Sequence, residues 1–416
     1  MLDRLSYFFR LAPKPALLGL LLIFCAGFAD GMLVPFFPLW ANDEAGVPVG
    51  AIGLLFGCYA GGELIAAPLI GGIADRVGRR PVLIASSLGV GGGFAALFFA
   101  HGVVLAAVVL LLVGMCESVL HPTIYTVIGD VTPENDHRHW FSLARVGSGA
   151  GRILGPAFGA ALALWSLGAV FLAAGGVLLF GCIAMFLWLT ETIKLGSGKD
   201  EEDEEEGLSA LLPVFRDRRL AGLLLWFILF EVASSWIESV LPLYARDAGI
   251  LTPSGIGALF AFESALVVGL QMLVSRSVKN LAGLSLTVSA GISTIAGFAM
   301  LATSPSIICL IGAVSLCAIT QMLIGPLVPT AVNALASQAR RASYMAASSV
   351  AFDLKDSLGP SIGTALYSLA PRLPWVVGIP LVAAASLGLG VAVGRSRRRE
   401  EAPVVCGAAT VAQQDH

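Results

Sequence analysis

The chain has 416 residues, of which 57% are hydrophobic and 13% charged, with a formal net charge of −3 and a mean hydropathy of +0.86. So little charge excludes a soluble globular protein, whose surface needs far more of it, and the long apolar runs argue for membrane spans. No nucleic-acid partner is expected.

A bilayer core needs about 20 apolar residues per helix. Twelve stretches meet that test in chain order: Ala16–Trp40, Gly50–Ala74, Pro81–Ala100, Val103–Ile128, Trp140–Trp165, Ala169–Thr190, Leu220–Pro242, Ser254–Ser275, Leu281–Thr303, Ile307–Asn333, Tyr344–Ala370 and Trp375–Gly394. They are too long and continuous for the alternating strands of a membrane barrel, so helices must satisfy the backbone. Arg4, Arg10 and Lys14 precede the first run as in a secretory signal. That run is too long for one and holds Asp30, so it reads as a retained span.

With both termini cytoplasmic, nearly all loop Lys and Arg fall on the cytoplasmic side, leaving Arg246 and Arg372 outside. The acidic run GSGKDEEDEEEG (196–207) reads as a solvated linker. Segments 1–190 and 219–394 form the two halves, 191–218 the linker and 395–416 a cytoplasmic tail. The halves match at one offset. Ile52–Phe56 (IGLLF) and Ile256–Phe260 (IGALF) stand 204 residues apart, as do Gly155–Leu162 (GPAFGAAL) and Gly359–Leu366 (GPSIGTAL). The fold class is therefore an all-α membrane protein with twelve transmembrane helices in two pseudo-symmetric six-helix bundles. Parallel halves of this kind are a transporter architecture with the site between them near midplane.

The motifs now resemble the major facilitator superfamily, across all twelve spans. GGIADRVGRRPVL (71–83) resembles its loop signature G-x-x-x-D-R-x-G-R-R, with Gly71, Asp75, Arg76, Gly78, Arg79 and Arg80 on the motif positions. GRILGPAFG (151–159) resembles the fifth-span antiporter motif. DGMLVPFFP (30–38) and YTVIGDVTPENDHRHWF (125–141) are similar to patterns of twelve-span drug:proton antiporters. The resemblance implies that Asp75 latches the cytoplasmic side against the other half, with Arg76 pairing to Asp130. One departure stands out: the span-four arginine of those exporters is Gly114 here, followed by Glu117 and Ser118.

Depth carries the strongest functional signal. Asp30, Glu63, Glu117, Arg152, Glu231, Glu263 and Asp356 lie near the centres of their spans. An ionisable group there costs about 2.5–3.5 kcal/mol on insertion scales, so it faces a cavity or a partner. These are the candidates for substrate binding or proton coupling, Asp30 and Glu117 first. Glu231 and Glu238 share a helical face, and the pseudo-symmetric Arg152 and Asp356 suggest an ion pair that competes with local pairing of Lys355. His121, beside Pro122, reads as a packing histidine. The seven cysteines and the His137/His139 pair offer no metal spacing, so no metal or cofactor is expected.

Gly151, Gly155 and Gly159, with Pro156, form a small-residue stripe that Gly359, Pro360 and Gly363 repeat. The expected role is close packing plus a seam across which the halves rock. No hydrolase, zinc-protease or P-loop motif is present, so no enzyme is expected, and nothing beyond the linker supports a sensor. The reading is a monomeric secondary transporter of the cell inner membrane, working by alternating access on a small-molecule substrate amid membrane lipid. It exports lipophilic or cationic compounds in exchange for protons. The alternative is a facilitator or symporter of a metabolite such as a sugar or lipid.

Overall fold

A computed structural model describes residues 13–66, 77–133, 136–191, 216–278, 281–336 and 341–397. Gly71, Asp75, Arg76 and the acidic run 196–207 lie outside them.

The described residues fold into helices. The first half holds α1 (Lys14–Leu33), α2 (Phe37–Asp43), α3 (Val49–Ala66), α4 (Arg79–Leu97), α5 (Val103–Val131), α6 (His137–Leu162) and α7 (Leu167–Trp188). The second holds α8 (Arg218–Ser234), α9 (Trp236–Ser239), α10 (Leu241–Asp247), α11 (Pro253–Ser277), α12 (Gly283–Thr303), α13 (Ile307–Leu335), α14 (Arg341–Leu369) and α15 (Leu373–Arg397). Helix starts repeat at the offset seen in the sequence: Lys14 and Arg218, Phe37 and Leu241, Val49 and Pro253, Val103 and Ile307, His137 and Arg341 each stand 204 residues apart.

Ten segments among the described residues are long and apolar enough to cross a membrane. The two further spans expected from the sequence correspond to α6 and α14. Their 26 and 29 residues suffice for length at about 1.5 Å per residue. They miss the apolar criterion because Arg145 and Arg152, or Asp353, Lys355 and Asp356, interrupt them. The expected first and seventh spans are each broken rather than continuous. Pro35 has no N–H to continue α1, and the chain restarts at Phe37 with Pro38 in the first turn of α2. The second half breaks at the matching place, between α8 and α10.

The core repeats as well. Trp40 packs on Phe171 with ring centroids 4.7 Å apart. Its counterpart Tyr244 packs edge-on to Trp375 at 5.8 Å. Each member of the second pair lies 204 residues after its equivalent. Trp40 and Trp375 are fully buried, and such aromatic pairs stabilise by about 0.5–1.5 kcal/mol beyond area burial.

The glycine stripe lies inside each half, not across a seam between halves as the sequence suggests. A Cβ on Gly151 would meet Phe24 and Phe28 of α1, and one on Gly155 would meet Phe28 and Met32. Gly359 likewise faces Val232 and Ser235, and Gly363 faces Trp236. Contacts between halves run instead through α3 with α14, α6 with α11 and α2 with α10. At Gly53 the α3 backbone comes so close to α14 that a Cβ would strike the Ser361 Cα. Two hydrogen bonds cross there, Gly53 N to Thr364 Oγ1 at 3.1 Å and Ser361 Oγ to the Gly53 carbonyl at 2.8 Å. All of this lies at one end of the molecule, the end bearing residues 42–53 and 241–257.

Candidate functional site

Close helix packing assembles the site. Gly31 admits the Arg152 backbone, which brings α1 and α6 together and sets Arg152 Nη2 3.6 Å from Asp30 Oδ2. Gly114 admits the Tyr59 carbonyl and draws α5 onto α3, where Ser118 Oγ donates to the Glu63 carbonyl at 3.1 Å. One turn along α5, Glu117 Oε1 lies 3.5 Å from His121 Nε2. His121 is therefore a member of the site rather than the packing residue its neighbour Pro122 suggests. The i,i+4 spacing to Glu117 was the available signal.

Asp30, Glu117 and His121 converge, with one ligand-type atom from each within 4.8 Å of the others. Two carboxylates and an imidazole at this spacing are a donor set that could hold a metal ion, but Arg152 beside Asp30 opposes a second cation. Glu117 is buried and its Oε2 has no hydrogen-bond partner among the described residues. A buried carboxylate oxygen left in this way costs about 1–3 kcal/mol unless a donor or a proton reaches it.

The second half contributes another charged cluster. Lys355 Nζ lies 2.7 Å from Asp356 and 3.9 Å from Glu231. Arg152 pairs with Asp30 instead of the pseudo-symmetric Asp356, because α1 packs against α6 within one half while Lys355 is adjacent to Asp356. Glu263 on α11 accepts a hydrogen bond from Gln321 Nε2 at 3.1 Å.

These residues surround a cavity of about 720 Å³ lined by both halves. Asp30, Glu63, Glu117, Arg152, Glu263 and Asp356 line it, together with Tyr59, His121, Glu238 and Lys355. Glu231 is not in its wall; Glu238, one turn beyond the α8 break, takes that position.

Sequence reasoning missed one cluster entirely. Arg246 of the second half pairs with Asp43 of the first, and its Nη2 donates to Asn42 Oδ1 at 3.0 Å. Its own neighbour Asp247 lies at 2.7 Å and accepts from Tyr367 Oη at 2.7 Å. The signal was available: Asp43 and Asp247 are repeat equivalents.

Of the residues resembling the loop signature, Gly78 adopts φ +108°, a conformation that disfavours any side chain. Arg79 Nε pairs with Asp130 Oδ2 at 3.0 Å; the Arg76–Asp130 pair that the resemblance implies lies outside the described residues. Glu191 accepts from the Arg79 and Arg80 backbone N–H groups at 3.0 and 3.2 Å, and the Arg80 guanidinium donates to the Phe186 carbonyl. Of these described partners, Asp130 and Phe186 belong to the first half and Glu191 is the first residue of the linker.

Comparison with known proteins agrees with this architecture. Tetracycline resistance protein, class E, of Escherichia coli is 28% identical over 267 residues, 62% of this chain and 65% of that protein. The match thus spans just under two thirds of that relative's length. Multidrug resistance protein MdtH of Klebsiella pneumoniae is 24% identical over 74% of this chain and 76% of its own. Among solved structures, the nucleoside transporter NupG superposes with a TM-score of 0.76 at 12% identity, covering 93% of this chain and 100% of that one. The peptide transporter POT in complex with sulfate gives 0.70 at 17% identity, covering 93% and 95%. At such identities these likenesses show the fold alone. The Major Facilitator Superfamily model matches residues 19–360, and the chain accordingly belongs to that superfamily of multi-pass membrane transporters.

Proposed function

We propose that the protein is a proton-coupled exporter of small lipophilic or cationic organic compounds in the bacterial inner membrane. It works as a monomer of twelve spans in two six-helix bundles, 1–190 and 219–394, joined by the linker 191–218, with both termini cytoplasmic. The cavity opens to one compartment at a time. In the present conformation the end bearing Asp43 and Arg246 is the closed, outer end, so the site faces the cytoplasm.

The observation that carries the coupling is the meeting of Asp30, Glu117 and His121 in the cavity wall, with Glu117 Oε2 lacking a hydrogen-bond donor among the described residues. A proton arriving there neutralises an acid pair that Arg152 only partly balances. When cargo is released outside, a proton enters; when the cavity turns inward, the proton leaves and new cargo enters. Arg152 supplies from α6 the guanidinium that related exporters carry in span four. The relatives named for tetracycline and multidrug resistance support the substrate class. On the cytoplasmic side, Asp75 and Arg76 belong to the inner gate, closing when the cavity faces outward.

The test is substrate flux in proteoliposomes with and without an imposed pH gradient. Flux that rises at least severalfold with the gradient, and loses that dependence in Asp30→Asn, supports the reading; flux that ignores the gradient refutes coupling. A second reading, downhill facilitation of a metabolite, is favoured by one observation: Gly114 stands where related exporters have arginine, and the Tyr59 carbonyl fills the space beside it. Gradient-independent flux is its signature.

A further inference from the structure

Most acids in or beside the cavity have a cation acting on them, Glu238 through Lys355 and Arg152. Asp30 has Arg152 at 3.6 Å, Glu117 has His121 at 3.5 Å, and Asp356 and Glu231 share Lys355 at 2.7 and 3.9 Å. Glu263 is different. Its Oε1 accepts from the neutral amide of Gln321, and no cationic side chain among the described residues pairs with it. The charged group acting on it is another acid, Glu238, which lines the same cavity from α9. Glu263 is nonetheless only 6% exposed. A buried carboxylate met by one neutral donor and one like charge is costly, and a cation brought into the cavity removes that cost.

The surroundings define what such a cation carries. Phe260, Ser264, Val267 and Val268 line the cavity from the same helix as Glu263. Spacings of three, four and seven residues place Phe260, Glu263, Ser264 and Val267 on one face of α11. A carboxylate thus sits among an aromatic ring and two branched aliphatic side chains, a setting for an amphipath rather than for a hydrated inorganic ion. Gln321 holds Oε1, while Oε2 accepts no hydrogen bond among the described residues.

We propose that Glu263 is the docking carboxylate for the cationic head of the cargo, an ammonium or other organic cation with an apolar body, and that Glu238 is its second acidic contact. This rests on the exporter reading above and divides the acids: Asp30, Glu117 and His121 serve the proton, Glu263 and Glu238 the cargo. Gln321 is a positioning residue that fixes the Glu263 carboxylate.

The experiment is equilibrium binding to purified full-length protein in detergent. The probes are three lipophilic cations (ethidium, tetraphenylphosphonium and benzalkonium) and the neutral lipophilic dye N-phenyl-1-naphthylamine. At least one cation binds wild-type protein. Glu263→Gln keeps a partner for Gln321 but removes the charge, and weakens that cation at least tenfold while the neutral dye stays within twofold. Glu263→Asp, which retains the charge, stays within about threefold of wild type for the cation. Unchanged cation affinity in Glu263→Gln overturns the assignment, as does equal loss of both probe types, which marks a packing defect. Failure of wild-type protein to bind any of the three cations also overturns it. None of these outcomes touches proton coupling, which is read separately from the effect of a pH gradient on flux.

Discussion

Arg246 pairs with Asp43 across the two halves of the chain. The other acid on the same guanidinium, Asp247, stands 204 residues after Asp43, its equivalent in the repeat. One cation therefore bridges two carboxylates that the internal repeat makes counterparts, at the end where Gly53 and Ser361 also meet. On the exporter reading proposed above, breaking this bridge releases that end.

Partly exposed ion pairs contribute about 0.2–1 kcal/mol each, so losing the bridge shifts the closed-to-open equilibrium by up to about fivefold. Arg246→Gln in a cysteine-free background carrying Ser361→Cys is expected to react up to about fivefold faster with a membrane-impermeant maleimide. An unchanged labelling rate shows that the pair does not hold the end closed.

Two glycines separate packing within a half from packing between halves. Gly155→Val forces a branched side chain against the Phe28 and Met32 backbone, and overpacking of this kind costs about 1–3 kcal/mol. Its melting temperature is expected to fall by several degrees. Gly53→Ala pushes instead on the Ser361 backbone of the other half. It should leave the melting temperature near that of wild type, raise maleimide labelling at the sealed end and abolish transport. Thermal melts and labelling on the two variants together check the distinction.

Lys355 balances Asp356 and Glu231. Lys355 and Glu231 are largely buried while Asp356 is exposed, so removing the lysine leaves uncompensated charge but costs less than the about 3–5 kcal/mol of breaking a fully buried pair. Lys355→Met is expected to express poorly or melt at markedly lower temperature, and the added change Glu231→Gln to recover part of the loss. Thermal melts of single and double variants measure that coupling, and strict additivity would rule it out.

Much of the architecture was legible because it is periodic. The offset of 204 residues between the sequence halves reappears in the helix starts and in the Trp40–Phe171 and Tyr244–Trp375 pairs. The intramembrane acids were legible because charge at such depth is expensive. Partner choice was not. Whether Arg152 meets Asp30 or Asp356 depends on which helices pack, and Gly31 decides that by admitting the Arg152 backbone. The Arg246–Asp43 pair joins residues some two hundred positions apart, beyond the reach of any local pattern. His121 was hidden by the proline beside it, although it stands one helical turn from Glu117.

Gly114 explains its own departure from related exporters. A Cβ there would already collide with the Tyr59 carbonyl, so restoring the usual residue with Gly114→Arg is expected to pry α5 from α3. The variant should melt at lower temperature than wild type and lose transport rather than gain coupling. A stable, more strongly pH-dependent Gly114→Arg protein would contradict this packing account.

At the other end of the second half, Asp217 caps α8. Its carboxylate accepts from the Arg219 N–H at 2.9 Å and the Tyr344 hydroxyl at 2.7 Å. Burial pushes this carboxyl up, but those hydrogen bonds outweigh it and hold it below the usual carboxylate range. A depressed folded-state value means that the contribution is full above the unfolded value, about 3.9, and fades as pH falls through the lower, folded one. The melting-temperature gap between wild type and Asp217→Asn should be constant from pH 7 to 5 and shrink below pH 4. A gap that widens on acidification contradicts the assignment.

The account turns on a cavity that opens at one end only as it closes at the other. Pulsed electron–electron resonance tests this with spin labels in a cysteine-free background, at His101 and Ala248 for the sealed end and at Val77 and Ser277 for the opposite end. On adding a transported cation and shifting the pH, the His101–Ala248 distance is predicted to lengthen while the Val77–Ser277 distance shortens. Two distances that stay fixed, or that grow together, would contradict alternating access in this protein.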